Sequence, residues 1–211
     1  MHDITPGIAQ DEQVKGFVRR TPWLMQVLDA VRPQGWVSWC IGAGAVRCAV
    51  WEALHGRAAG ALPPSSLGDI DVVYFDAREV EPDHWQSAQA LARQQLQDRL
   101  PWARWEVVNQ AAVHCWYRGA TGQPVPPFVS LEQAVASWPE VATCVGVYLD
   151  ARDELQLVAP LGLDDLLTLR VRYNSSDAGR VSAAVYAERM ACKRWQCEWP
   201  GLKIESASQK Q

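Results

Sequence analysis

Asp69 and Asp71 are the residues from which chemistry can first be read. They open the run Asp69-Ile70-Asp71-Val72-Val73-Tyr74-Phe75-Asp76, otherwise β-branched and aromatic. Such a run predicts a strand, and strand residues two apart project from the same face. Two carboxylates side by side repel each other unless a cation lies between them. Oxygen-only ligation suits a hard ion, Mg²⁺ or Mn²⁺, which keeps waters and binds substrate phosphates in its remaining positions. The competing reading is a pair of turn-capping carboxylates at the surface.

The flanking sequence favours the metal. Trp36-Val37-Ser38-Trp39-Cys40-Ile41 suits a buried strand, Gly42-Ala43-Gly44 makes a turn, and Ala45 to Leu54 reads as a helix closing near Gly56. A turn of this kind exposes backbone N–H groups at a helix start, which favours phosphate. Gly42, Gly44, Ala45 and Arg47 are therefore candidate nucleotide contacts. A third acid, Glu106, lies in the next predicted strand, Trp105-Glu106-Val107-Val108, after a helix spanning Trp85 to Leu100. If the two strands are neighbours, Glu106 can reach the same ion or take the proton of an attacking hydroxyl. Its bland reading is an exposed strand acid.

Other elements frame these. Two helices open the chain, the second at Thr21-Pro22, an N-cap followed by proline. Trp23, Leu24, Val27, Leu28 and Val31 then recur at helical spacing up to Pro33-Gln34-Gly35. Residues 60–68, with Pro63-Pro64-Ser65-Ser66, read as a loop. In the second half, Leu131 to Trp138 reads as a short helix and Val141 to Leu149 with Leu155 to Val158 as a strand pair. Gly162 to Leu169 and Ala178 to Trp195 read as helical, with a frayed tail after Trp199-Pro200. Asn109 reads as a helix N-cap, and His114 as packed rather than as a base. On the last helix Tyr186, Arg189 and Lys193 share a face that either presents cations to a triphosphate or is simply solvated. Asp164 and Asp165 suit the start of a helix and are read as structural.

Composition narrows the classes. The 211 residues are 48% hydrophobic, enough for one full core, and the 11 Trp require much burial. Net charge is −4 and the isoelectric point near 5.6, which does not predict the basic face that grips long nucleic acid. A small phosphorylated ligand, needing a few local cations and a metal, is compatible. No run is long and apolar enough to span a bilayer, and Met1-His2-Asp3-Ile4 is unlike a signal peptide, so a cytoplasmic address is expected. Cys40, Cys48, Cys115, Cys144, Cys192 and Cys197 form no CxxC pair and read as buried, reduced thiols.

With these residues together, the chain resembles the polymerase-β-type nucleotidyltransferase superfamily. Gly42-Ala43-Gly44-Ala45-Val46-Arg47, Trp51 to Gly56 and Asp69-Ile70-Asp71-Val72 look like the palm of tRNA CCA-adding enzymes, with Ala43 standing where those carry the first glycine of a pair. Over nearly its whole length the chain is similar to a bacterial nucleotidyltransferase-like family. The motifs are Ala43-Gly44-Ala45-Val46-Arg47, Asp69 to Asp76, Glu106-Val107-Val108-Asn109-Gln110-Ala111, Gly162-Leu163-Asp164-Asp165-Leu166 and Lys193-Arg194-Trp195. The resemblance implies an α+β fold: a palm of mixed sheet flanked by helices, with helical N- and C-terminal additions. One domain over 1–211 is expected, its palm core at about 36–117 and a further α/β and helical part at about 128–200. It also implies a nucleoside triphosphate donor, a divalent metal on Asp69, Asp71 and Glu106, and transfer of a nucleoside monophosphate with release of pyrophosphate. Nucleotide contacts would come from Gly42, Gly44, Ala45, Arg47, Arg189 and Lys193. The acceptor is left open, a small molecule or protein hydroxyl suiting the acidic chain better than a polynucleotide.

Two other readings compete. Phosphatases with an aspartyl nucleophile place the acids after an apolar strand, whereas here the apolar run follows them. A catalytically inactive nucleotide-binding or protein-interaction module on the same fold is the stronger alternative.

Overall fold

Alternation along Ile70–Tyr74 sorts its side chains to two sides: Ile70, Val72 and Tyr74 enter one apolar cluster, Val73 another. Asp71 shares the side of Val73. The computed structural model, which describes residues 6–65, 67–177 and 179–207, is built around that division. In chain order come α1 (Pro6–Arg19), α2 (Pro22–Val31), β1 (Trp39–Gly42), α3 (Ala43–Leu54), β2 (Ile70–Tyr74), α4 (Pro82–Arg99), β3 (Trp105–Asn109), α5 (Val113–Trp116) and α6 (Leu131–Ala136). Then follow β4 (Gly146–Leu149), β5 (Leu155–Val158), α7 (Asp164–Leu167), β6 (Arg170–Val171), α8 (Ala183–Cys192), α9 (Trp195–Glu198) and β7 (Lys203–Ile204).

A five-stranded sheet runs in the order β3-β2-β1-β4-β5. β2 and β3 are parallel, connected through α4, and every other neighbouring pair in that sheet is antiparallel. The expected α+β architecture, a mixed sheet flanked by helices, is the one that forms. One face meets the helices: Trp23, Leu24, Val27, Leu28 and Val31 of α2, with Val46 and Val50 of α3, pack on Trp39, Ile41, Val72 and Val107. That cluster reaches from Val14 to Leu202. The opposite face carries a smaller cluster of Cys40, Val73, Val135 and Val158, partly covered by α6. Over β2 and β3 this second face opens into a cleft of about 710 Å³.

Several expectations need correction. The run 141–149 is a strand only from Gly146; Val141–Thr143 is a 3-10 turn, held by the Thr143 hydroxyl donating to the Glu140 carbonyl at 2.9 Å. The helix expected from Ala178 begins at Ala183, where the Ser182 side chain caps it; Ala178 itself, like Ser66 and residues 1–4, lies outside the described residues. The tail is not frayed through 207. Lys203 and Glu205 donate backbone hydrogen bonds to Leu169 and Val171, and β6 and β7 pair as a small parallel sheet. Thr21 marks the start of α2, but its hydroxyl donates back to the Phe17 carbonyl and caps nothing. Of the six free cysteines, Cys40, Cys48 and Cys144 are buried and Cys115, Cys192 and Cys197 exposed, because the latter three sit on outer faces of short or terminal helices. Six Trp are buried, at 23, 39, 51, 105, 195 and 199, whereas Trp116 is 49% exposed at the cleft. No described helix is long and apolar enough to cross a membrane.

Candidate active site

The β2–β3 register sets Asp71 beside Glu106. The antiparallel β1–β2 ladder, with Ile41 opposite Val72, carries on to bring Gly42 alongside Asp71. Three adjacent strands thus contribute one row to the cleft face. A side chain at Gly42 would run into the indole of Trp138, which lies over that position. The chain then turns directly into α3. Ala43 has a φ of +35° and donates its N–H to the Val145 carbonyl at 3.0 Å. This is the position where the resembled palms carry glycine, and the left-handed φ explains why glycine suits it.

The next residue, Gly44, donates its N–H to the Asp71 carboxylate, so the start of α3 already serves an anion. Even so the Asp71 pKa is pushed up to about 6. Burial is the largest cause, the negative charge of Glu106 the next, and Asp69 adds to it; Arg47 and the Gly44 N–H act in the opposite direction. Arg47 projects from the first turns of α3 into a cage of Trp51, Trp195 and Trp199, its Cζ lying 5.5, 4.3 and 5.8 Å from their ring centroids. Burial depresses its pKa, and its Nε has no hydrogen-bond partner among the described residues.

Asp69 stands one residue ahead of β2 and lines the cleft with Asp71 and Glu106, 49% exposed, with Oδ1 2.9 Å from Nε of Arg104, which also lines it. Arg104 is itself 73% exposed, and such surface pairs contribute about 0–1 kcal/mol. Among the described residues no three His, Cys, Asp or Glu side chains gather as a ready-made ion site. Asp71 and Glu106 nonetheless fit a hard divalent cation. They offer oxygen alone, and Asp71 is held in a buried position with the negative charges of Glu106 and Asp69 beside it. Arg104 competes with an ion for the Asp69 carboxylate, engaging its Oδ1 and leaving Oδ2.

The remaining sequence-derived candidates divide. Gly44, Arg47, Arg189 and Lys193 all line the cleft with the acids. Ala45 does not: its side chain is fully buried in the helix-side core, and Gly42 is sealed beneath Trp138. Arg189 is engaged, its Nε 2.9 Å from Oε1 of the buried Glu140, which also accepts from Thr143. Lys193 ends α8 with its Nζ 6.0 Å from the Trp195 ring. Tyr186 is buried and donates to the carbonyls of Val171 and Glu205. His114 is not at the cleft; its Nε2 lies 3.6 Å from the Cys115 sulfur. Glu140, Trp138 and Arg180 line the cleft but escape sequence reading. They sit in turns, where no periodicity distinguishes a buried polar side chain from a solvated one.

Comparison with known proteins agrees with the fold. A protein solved by NMR, described as a CCA-adding enzyme head domain, superposes with a TM-score of 0.73 at 27% identity, covering 93% of this chain and 96% of that one. A search of curated proteins returned no match. The family model described as nucleotidyltransferase matches residues 29–204, a span that holds the whole row of acids and the glycine turn. Matched over most of its length, the chain belongs to the nucleotidyltransferase family.

Proposed function

We propose that the chain transfers a nucleoside monophosphate from a nucleoside triphosphate to a hydroxyl acceptor, releasing pyrophosphate. One observation carries the reading: Asp71 and Glu106 stand in register on adjacent parallel strands, in a cleft that also receives the start of α3. The acceptor oxygen forms a bond to the α-phosphorus while the bond from that phosphorus to pyrophosphate breaks, the leaving oxygen keeping the electron pair. Glu106, the more exposed of the two acids, orients the hydroxyl and takes its proton. Arg47 and Lys193 offer positive charge to the phosphates, and Gly44 lets the backbone approach them closely. Asp71, Glu106 and Asp69 would hold Mg²⁺ or Mn²⁺, whose charge offsets that developing on the attacking and leaving oxygens. Positioning and charge neutralisation supply most of the rate in chemistry of this kind.

The pairing of Asp69 with Arg104 favours one other reading, a nucleotide-binding module without turnover. Incubation with each labelled nucleoside triphosphate and Mg²⁺ separates the two. Pyrophosphate release that disappears in Asp71→Asn supports the transferase. Triphosphate binding with no release in either form supports the module and overturns the reaction.

A further inference from the structure

Beyond Glu106, the cleft changes character. Val108 follows two residues later on the same face of β3, about 7 Å further along. There it meets a separate apolar cluster of Val113, Phe128 and Tyr117. Val108, Val113, Tyr117 and Phe128 line the cleft together with Arg180. The cations suited to a triphosphate, Arg47 and Lys193, belong instead to the Trp195 side. The acid row stands between two chemically distinct regions.

Arg180 is the unusual group here, only 5% exposed. Its guanidinium stacks on Phe128, Cζ 3.8 Å from the ring centroid, and its Nη2 donates to the Pro126 carbonyl. Nε lies 2.8 Å from the Asp177 carboxylate as an ion pair without hydrogen-bond geometry, and both Nε and Nη1 are buried without a hydrogen-bond partner among the described residues. The backbone carrying it is fixed: Tyr117 donates its hydroxyl to the Arg180 carbonyl at 2.9 Å, and Ala120 donates to Gly179 at 3.0 Å. Gly119 packs so closely on the Gly179 carbonyl that no side chain fits there. A buried guanidinium with unmatched nitrogens, held by its backbone at the apolar wall of the cleft, gains by turning toward an oxygen that arrives with a ligand.

We propose that this end of the cleft is the acceptor subsite, taking a small hydroxylated molecule with an apolar or aromatic body and a carboxylate or phosphate group that Arg180 reads. The proposal rests on the transferase reading and names its acceptor class. Size agrees: a cleft of about 710 Å³ is large enough to hold a donor and a small acceptor together.

The test is ligand-observed NMR on the whole chain with three probes: para-hydroxybenzoate, para-hydroxyphenyl phosphate and the neutral methyl para-hydroxybenzoate. At least one anionic probe is expected to bind about tenfold tighter than the ester, as a charge-assisted hydrogen bond requires. Whichever anion wins tells carboxylate from phosphate. Arg180→Gln should erase the preference; Arg180→Lys, which keeps charge and stem but lacks the fork, should do the same if the Gln variant fails to fold. Equal binding of ester and anions, no binding of either anion, or an unchanged preference in a folded Arg180 variant overturns the proposal. So does displacement by a non-hydrolysable triphosphate with Mg²⁺, which would give the pocket to the donor's base. Anion binding that persists where no pyrophosphate is ever released would leave the subsite standing and bring down the transfer reaction alone.

Discussion

At the scale of single residues, burial and the neighbouring charge of Glu106 act against the ionised form of Asp71. Its folded pKa of about 6 exceeds the ordinary value of 3.8, so the folded chain binds that proton more tightly than the unfolded one. The contribution of Asp71 to stability therefore declines as pH rises between those two values and stays unfavourable above them. Asp71→Asn removes the penalty. In chelator at pH 7.5 it should raise unfolding free energy by about 1–2 kcal/mol over the unaltered chain, the gain vanishing below about pH 4. Urea titrations of both proteins at each pH check this; a variant less stable at pH 7.5 would contradict it. Glu106→Gln should keep the fold and lower pyrophosphate release by about a hundredfold or more, since a proton acceptor is lost. Arg104→Gln frees Asp69, and half-saturating Mn²⁺ should drop by a factor of about two to five, the range an exposed ion pair commands. The acids were legible in the sequence because strand periodicity is short and local. That Asp69 faces Arg104 was not, since Arg104 lies across a strand pairing that sequence spacing does not display.

Among the elements, the row from Gly42 to Glu106 depends on Trp138 lying over β1. Gly42→Ala places a methyl group against that indole, and overpacking of this kind costs about 1–3 kcal/mol. Thermal melts should show the loss, and near-UV circular dichroism should report a displaced Trp. The alternating strands and helices of the first half could be read closely, because α2, α3 and β2 each present one apolar side at a clear period. The second half resisted. β6 and β7 have two residues each and pair over a separation of about thirty residues, so neither has a pattern of its own. Removing residues 203–211 tests how much that pairing matters. It deletes the β6–β7 pairing with its backbone bonds from Lys203 and Glu205, the Arg170–Glu205 pair and the Glu205 carbonyl that receives the Tyr186 hydroxyl. A fall in Tm of about 4–8 °C is expected, corresponding to roughly 2 kcal/mol in a chain of this size. A dispensable tail would leave Tm unchanged.

For the molecule as a whole, the consequence of greatest reach lies in how β2 and β3 find each other. They run parallel, so no tight hairpin measures out their alignment; a long crossover through α4 brings them together, and only packing sets the final step. A slip by one residue would throw Trp105 and Val107 out of the core and is self-correcting. A slip by two would not be. Every side chain would keep its own side, while Asp71 would face Arg104 or Val108 instead of Glu106. Such a molecule would keep its inside-outside pattern, at a cost in packing around Trp105 and Val107, yet be chemically mute. Insertions and deletions between Phe75 and Arg104 should accordingly be tolerated or lethal to activity by parity and phase rather than by size.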